Sequence, residues 1–200
     1  MRSKHSLALI MAAGYSRRFG SDKRLARLAD GRTLLATTLA AAMDAFEQVR
    51  VVVNTRVTPA DLGIPEAMAL VIRPAAPVGL GGSIAHAFRE LDQPLSRCGY
   101  HSVAIWLGDM PWVRPETCQR LARRAAADTI VRPLYRDMPG HPVFFGRDFW
   151  PALAANQDDL GARPVIARFA DRVIAVPVAD PGVIRDIDYP SAMPGPESAP

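Results

Sequence analysis

Leu7-Ala8-Leu9-Ile10-Met11-Ala12-Ala13-Gly14-Tyr15-Ser16-Arg17-Arg18-Phe19-Gly20-Ser21-Asp22-Lys23 begins as an unbroken apolar run and ends in charge. Leu7 to Ala12 is too short for a membrane span and lacks the alternation of a half-exposed strand, so it predicts a parallel strand buried on both faces. The small residues that follow start a loop. Gly14 and Gly20 allow backbone to approach a ligand closely, while Arg17, Arg18 and Lys23 supply cations for several phosphate oxygens. The stretch reads as a strand that delivers a polyanion site; its plainer alternative is a glycine-rich turn with solvated arginines.

The spacing excludes two common phosphate loops. From Gly14 the order is Gly, five residues, Gly, two residues, Lys, whereas a Walker A loop has four intervening residues followed by adjacent Gly, Lys and Ser or Thr. No dinucleotide fingerprint occurs.

Downstream, strand and helix signals alternate. Thr33 to Phe46 has helical spacing with Thr33 as its cap, Val49 to Asn54 and Met68 to Ile72 read as strands, and Thr55 to Pro65 is a surface connection. Arg73 to Ser83 is a second glycine-rich segment, with Ser83 expected to cap a helix from Ile84 to Leu91; it is either a surface turn or a loop whose backbone donors meet a base edge or phosphate. Ser102 to Leu107 is a buried strand that delivers Asp109. In an open parallel sheet this places Asp109 on the same edge as the first loop, as a metal-holding carboxylate or a turn residue before Pro111. Pro115 to Ala127 reads as a helix, Thr129 to Leu134 as a strand and Tyr135 to His141 as a polar loop. His141 is open to two readings, a general base or a residue that positions the loop or contacts substrate; a phosphate nucleophile, already ionised at neutral pH, needs no base. Short helices are expected over Asp148 to Asn156 and Ala162 to Phe169, joined by a turn at Asp158-Asp159, with a late strand from Val173 to Val178. Strands and helices in this order predict a three-layer α/β sandwich around a mostly parallel sheet with right-handed crossovers.

Composition narrows the partners. About half of the 200 residues are hydrophobic and the net charge is +4, enough for a core and too mild, with cations scattered, to suggest nucleic acid. Cys98 and Cys118 lack the spacing of a metal or redox motif and read as reduced thiols of a cytoplasmic protein. Arg2 and Lys4 ahead of the apolar run imitate an export signal, but the run is short and Arg17 and Arg18 follow at once. No later segment has the length of a membrane span. Residues 1–190 are expected to form one domain, and Ser191 to Pro200, with three prolines in ten residues, a disordered tail.

The first loop resembles Leu-x-Ala-Gly-x-Ser-x-Arg-Phe-Gly-x-Asp-Lys, the signature of nucleotidyltransferases related to the molybdenum cofactor enzymes. Further likenesses follow in the family's order: Gly81-Gly82-Ser83, with Gly82 in place of a serine; Leu107-Gly108-Asp109-Met110-Pro111; Gly140-His141-Pro142 with Phe145; and Asp186-Ile187-Asp188-Tyr189-Pro190, with Tyr189 in place of a threonine. The resemblance runs from Leu7 to about Pro190 and implies a Rossmann-like nucleotidyltransferase fold that moves a nucleotide from CTP or GTP to a phosphorylated acceptor. Ala13-Gly14 favours CTP in this family. By the same resemblance Arg18 and Lys23 take the triphosphate, with Lys23 at the α-phosphate and Arg17 a weaker candidate. Asp109, Asp188 and Asp186 hold magnesium, and Ala12, Ala13 and Gly14 lie against base and ribose with Gly81, Gly82 and Ser83 nearby. His141 sits near the acceptor, implied to be a molybdopterin-type cofactor, and transient contact with a molybdenum hydroxylase follows. Other phosphorylated metabolites or sugar phosphates as acceptor, a non-catalytic cofactor carrier and a phosphohydrolase stand as rival readings.

Overall fold

The first strand of the computed structural model, β1 (Ser3–Met11), is buried from Ser6 onward. The structure describes residues 2–14, 19–156 and 158–187, so Arg17, Arg18, Asp188 and the C-terminal tail lie outside the described residues. Parallel strands flank β1 on both sides: β2 (Phe46–Asn54) in register Ile10 to Val51, and β4 (Ser102–Leu107) in register Ile10 to Trp106. With both edges paired, only the two faces remain to be covered, and side chains alternate between them. Ala8, Ile10 and Ala12 enter one core with Leu35, Leu39, Trp106 and Leu121; Leu7, Leu9, Met11 and Ala13 enter the other with Ile84, Phe88, Phe145 and Leu153.

The remaining strands are β3 (Ala69–Ile72), β5 (Ile130–Tyr135), β6 (Met138–Pro139), β7 (Val143–Gly146) and β8 (Val173–Pro177). Their order is β3-β2-β1-β4-β7-β5-β6, with β8 paired in parallel to β5. β7 is antiparallel to both β4 and β5, so β5 runs the same way as β4. The layers on the two faces are α1 (Leu34–Ala45) and α3 (Pro115–Ala122) on one, and α2 (Leu80–Cys98), α4 (Trp150–Ala154) and α5 (Arg163–Arg168) on the other. This is the expected three-layer α/β sandwich, a mixed sheet of mostly parallel strands. No helix among the described residues is long and apolar enough to cross a membrane.

Thr33 caps α1 as expected, accepting from the Ala36 amide at 3.2 Å. Three local expectations are corrected. α2 starts at Leu80 with Gly79 as its N-cap, so Ser83 lies inside the first turn instead of capping. α3 stops at Ala122, five residues early, because Arg123 to Ala127 leaves the helix to feed β5. Tyr135 to His141 is no open loop but a hairpin, in which Arg136 and Asp137 both take left-handed conformations, φ +47° and +62°. A two-residue hairpin turn demands that geometry, and Asn-Gly is its usual sequence, so Arg-Asp gives little warning.

A buried carboxylate fastens the end of the chain. Asp180, 2% exposed, accepts from the Arg114 amide at 2.9 Å, the Thr117 hydroxyl at 2.7 Å and the Gly182 amide at 3.0 Å. These bonds tie the segment that continues to Asp186 onto the start of α3. Burial pushes the thiol of nearby Cys118 well up, and the Asp180 charge adds to it, so this cysteine stays protonated. Asp180→Ala orphans all three donors and is expected to cost about 3 kcal/mol. Urea unfolding should show a lower midpoint at unchanged slope.

Candidate functional site

At the carboxyl edge of β1 and β4 the two strand ends are joined backbone to backbone: the Gly108 amide donates to the Met11 carbonyl at 3.0 Å. The Thr38 hydroxyl of α1 donates to the Gly108 carbonyl at 3.1 Å, which fixes the turn that presents Asp109. Two more side chains hold the end of β1. Asn54, at the end of β2, donates to the Ala13 carbonyl at 2.7 Å, and Arg24 Nη1 donates to the Ala12 carbonyl at 2.7 Å. Arg24 is only 9% exposed and is gripped by Asp22 through Nε at 2.7 Å and Nη2 at 2.5 Å. Those bonds hold the Asp22 carboxyl below its usual range. Arg24 thereby closes the base of the first loop, returning the chain to β1 immediately after Lys23.

Lys23 is thus brought to Asp109, with Nζ to Oδ2 at 2.5 Å and a longer contact to the Ile187 carbonyl at 3.4 Å. The Ile187 amide donates in turn to the Asp109 carbonyl at 3.1 Å. Three segments far apart in sequence, those of Lys23, Asp109 and Ile187, are therefore joined to one another. They open onto a cavity of about 540 Å³, whose walls include Ala12, Ala13, Gly14, Lys23, Asp109 and Asp186. The size suits a nucleotide.

The opposite wall is the start of α2. Gly79, Leu80 and Ser83 line the cavity, whereas Gly81 and Gly82 do not. Gly81 instead faces the Asp158 carbonyl, which a Cβ would overlap, and Gly82 lies against Val78. Asp159 Oδ1 accepts from the Gly79 amide at 3.1 Å and Asp159 also lines the cavity. The turn expected at Asp158-Asp159 is present and, through Asp159, is part of the wall. Asp159 and Arg24 are the site residues that the sequence reading missed. The pattern Asp22-Lys23-Arg24, a carboxylate two residues before an arginine at a strand-loop junction, is the one local signal for Arg24; for Asp159 the signal was the acidic pair Asp158-Asp159, read as a turn.

The donor set fits a hard divalent cation. Asp109 Oδ1 is buried with no hydrogen-bond partner, and Asp186 presents a second carboxylate to the same cavity. Oxygen ligands of this kind suit magnesium or manganese, and magnesium keeps waters and substrate phosphates in its shell, so it needs few protein ligands. Among the described residues no three acidic, histidine or cysteine side chains cluster as a cage.

His141 does not line this cavity. Its amide donates to the Val183 carbonyl at 2.7 Å, and its Nδ1 is buried without a partner. Burial pushes its pKa down to about 4; the Ile105 carbonyl opposes this, Arg132 adds to it, and Asp186 and Arg163 act more weakly in opposite senses. A ring that stays neutral near pH 7 fits a residue that positions or contacts a ligand.

Comparison with known proteins follows the same lines. A family model described as a MobA-like NTP transferase domain matches residues 8–173. A homologue of Rv0371c from Mycobacterium sp. strain JC1 has a similar structure at 27% identity and TM-score 0.77, covering 96% of this chain and 94% of that one. A manganese complex of Rv0371c from Mycobacterium tuberculosis is similar at 23% identity and TM-score 0.69, covering 88% and 89%. Molybdopterin-guanine dinucleotide biosynthesis protein A from Archaeoglobus fulgidus shares the fold at 19% identity and TM-score 0.64, covering 94% of each chain. A comparison with curated proteins finds no match.

The depressed His141 pKa makes stability pH-dependent. Between about 4 and 6.5 an unfolded histidine binds a proton that the folded one refuses, so stability falls as pH drops through that window. The total is on the order of 3 kcal/mol. Urea titrations at pH 7 and pH 5 should show the loss in the wild type and a smaller one in His141→Gln.

Proposed function

This chain belongs to the MobA-like NTP transferase domain family, and from that footing we propose that it moves CMP from CTP to the terminal phosphate of a molybdopterin-type acceptor. An acceptor phosphate oxygen attacks the α-phosphorus, the bond between the α-phosphorus and its bridging oxygen breaks, and pyrophosphate leaves. The observation that carries this reading is the convergence of Lys23, Asp109 and the Ile187 backbone at the mouth of one nucleotide-sized cavity.

Each residue has a task set by where it sits. The segment just after β1, Ala12 to Gly14, which lines the cavity, forms the wall for base and ribose, and the dipeptide Ala13-Gly14 is the family feature that favours CTP. The first turn of α2 adds the positive end of a long helix to the facing wall. Lys23, held beside Asp109 as an ion pair, presents a protonated ammonium to charge that develops at the α-phosphate. Arg18, with Arg17 as the lesser candidate, takes the β- and γ-phosphates. Arg24 does not compete for them, since its guanidinium is committed to Asp22 and the Ala12 carbonyl. Asp109, with Asp186 and Asp188, would hold magnesium, which would neutralise triphosphate charge. The mycobacterial relative forms a complex with manganese, which supports a divalent ion for this chain as well. Both reactants are anions, so rate enhancement comes from positioning and charge neutralisation, with no covalent intermediate on the protein.

The acceptor assignment draws on the molybdenum cofactor likeness of the sequence motifs and on the structural likeness to the Archaeoglobus protein. Cytoplasmic location and transient contact with a molybdenum hydroxylase follow as proposals from that acceptor.

Pyrophosphate release tests the reading, with magnesium and molybdopterin-type cofactor, offering CTP, GTP, ATP and UTP separately. Release is expected with CTP and absent from Asp109→Ala protein whose circular dichroism is unchanged; full activity in that variant would remove Asp109 from the metal site. Lys23→Ala should lower kcat on the order of 100-fold or more, with a smaller change in the KM for CTP. Silence with every nucleotide would discard this acceptor and move the search to other phosphorylated metabolites.

A further inference from the structure

Arg2 and Lys4, ahead of the first apolar run, take no part in the site at the carboxyl edge of the sheet. They line a second cavity, of about 590 Å³, at the opposite edge. Its walls come from three places: the start of β1, His101 just ahead of β4, and the end of α3 with Arg123 and Ala125 behind it. The run of β1 from Ser6 to Ala12, at about 3.3 Å per residue, puts the two cavities roughly 20 Å apart. They share no lining residue.

The lining is basic and includes no carboxylate. Arg2 and Arg123 are exposed and enter no ion pair among the described residues. Lys4 has a loose one, 3.8 Å from Glu47, with side chains 61% and 45% exposed; such a pair holds its cation weakly. α3 turns its C-terminal end this way, and free carbonyls there would oppose an anion. The Gln119, Leu121 and Ala122 carbonyls are instead taken by the amides of Arg123, Arg124 and Ala125 at 3.2, 2.9 and 3.2 Å.

Two contacts shape the rest of the cavity. The His101 amide donates to the His5 carbonyl at 2.8 Å, and the two imidazoles stack with centroids 5.2 Å apart and planes 15° apart. Near-parallel rings do not aim their in-plane lone pairs at one point, so the pair is no chelate for a metal ion; it offers ring faces and N–H donors. Beneath, the buried hydroxyls of Ser6 and Ser102 lie 2.9 Å apart. Two hydroxyls bonded to each other spend one proton between them and have a second to give, and Ser6 is part of the cavity wall.

We propose that this cavity is a second binding site, for a small phosphate-bearing anion. Arg2, Arg123 and Lys4 take the phosphate oxygens, and the serine pair adds a neutral donor. Ala122, Ala125 and the imidazole faces receive the organic body of the ligand where the phosphate carries one. The inference goes beyond nucleotidyl transfer and does not rest on it.

The ring resonances of His5 and His101 read this site directly. Inorganic pyrophosphate and, separately, phenyl phosphate titrated into metal-free protein should each shift both rings saturably. Lys4→Gln and Arg123→Gln, at exposed positions that keep the fold, should each weaken binding about 3-fold or more. Arg124→Gln removes the same charge one residue further on, outside the cavity wall, and should weaken it less. Absence of saturable shifts with both probes overturns the site, and so does equal weakening by Arg124→Gln, the mark of diffuse attraction to a basic surface. Tighter binding of phenyl phosphate assigns the site to an organic phosphate, tighter binding of pyrophosphate to an inorganic one, and either supports the proposal.

Discussion

A strand apolar on both sides and paired at both edges has to be enclosed from every direction, and β1 is that strand. Its neighbours β2 and β4 run parallel to it, so each link between them must cross back over a face of the sheet and supply a covering helix. That requirement generates the three layers. It also gathers the loops that follow β1 and β4 at one end, because parallel strands all deliver their carboxyl ends to the same edge. The site is a by-product of covering the first strand.

What the edge does with those loops is electrostatic. Lys23 and Asp109 are mostly shielded from water, with side chains 20% and 14% exposed, where a charge is costly unless matched. Each stabilises the other, and in the proposed reaction phosphate oxygens would take over the ammonium and a cation the carboxylate. Arg24 performs the contrasting job. Its bonds run to Asp22 and to backbone, so of two adjacent cations one faces the cavity carboxylate while the other builds the loop.

The sequence made the central architecture legible because β1, β2 and β4 are written as unbroken apolar runs, and Thr33 capped its helix as a threonine there should. The end of β4 likewise announced Asp109. Features that depended on distant partners were less legible. Gly81 and Gly82 were expected beside base and ribose, yet they make room for Asp158 and Val78. The hairpin at Arg136 and Asp137 draws its left-handed backbone from strand pairing, against local preference. Asp159 belongs to a turn whose neighbours come from other parts of the chain, and no spacing rule reaches that far.

The close contact between the start of α2 and the 158–159 turn carries one more implication. A side chain at Gly79 or Gly81 would collide with Asp159 or with the Asp158 carbonyl, so helix and turn fit without slack. The far wall of the cavity is thereby assembled during folding and does not wait for a nucleotide to shape it. Little ordering entropy is left to be lost on binding. The two pieces are also locked into a common history: a bulkier residue in either becomes acceptable only together with a compensating retreat in the other.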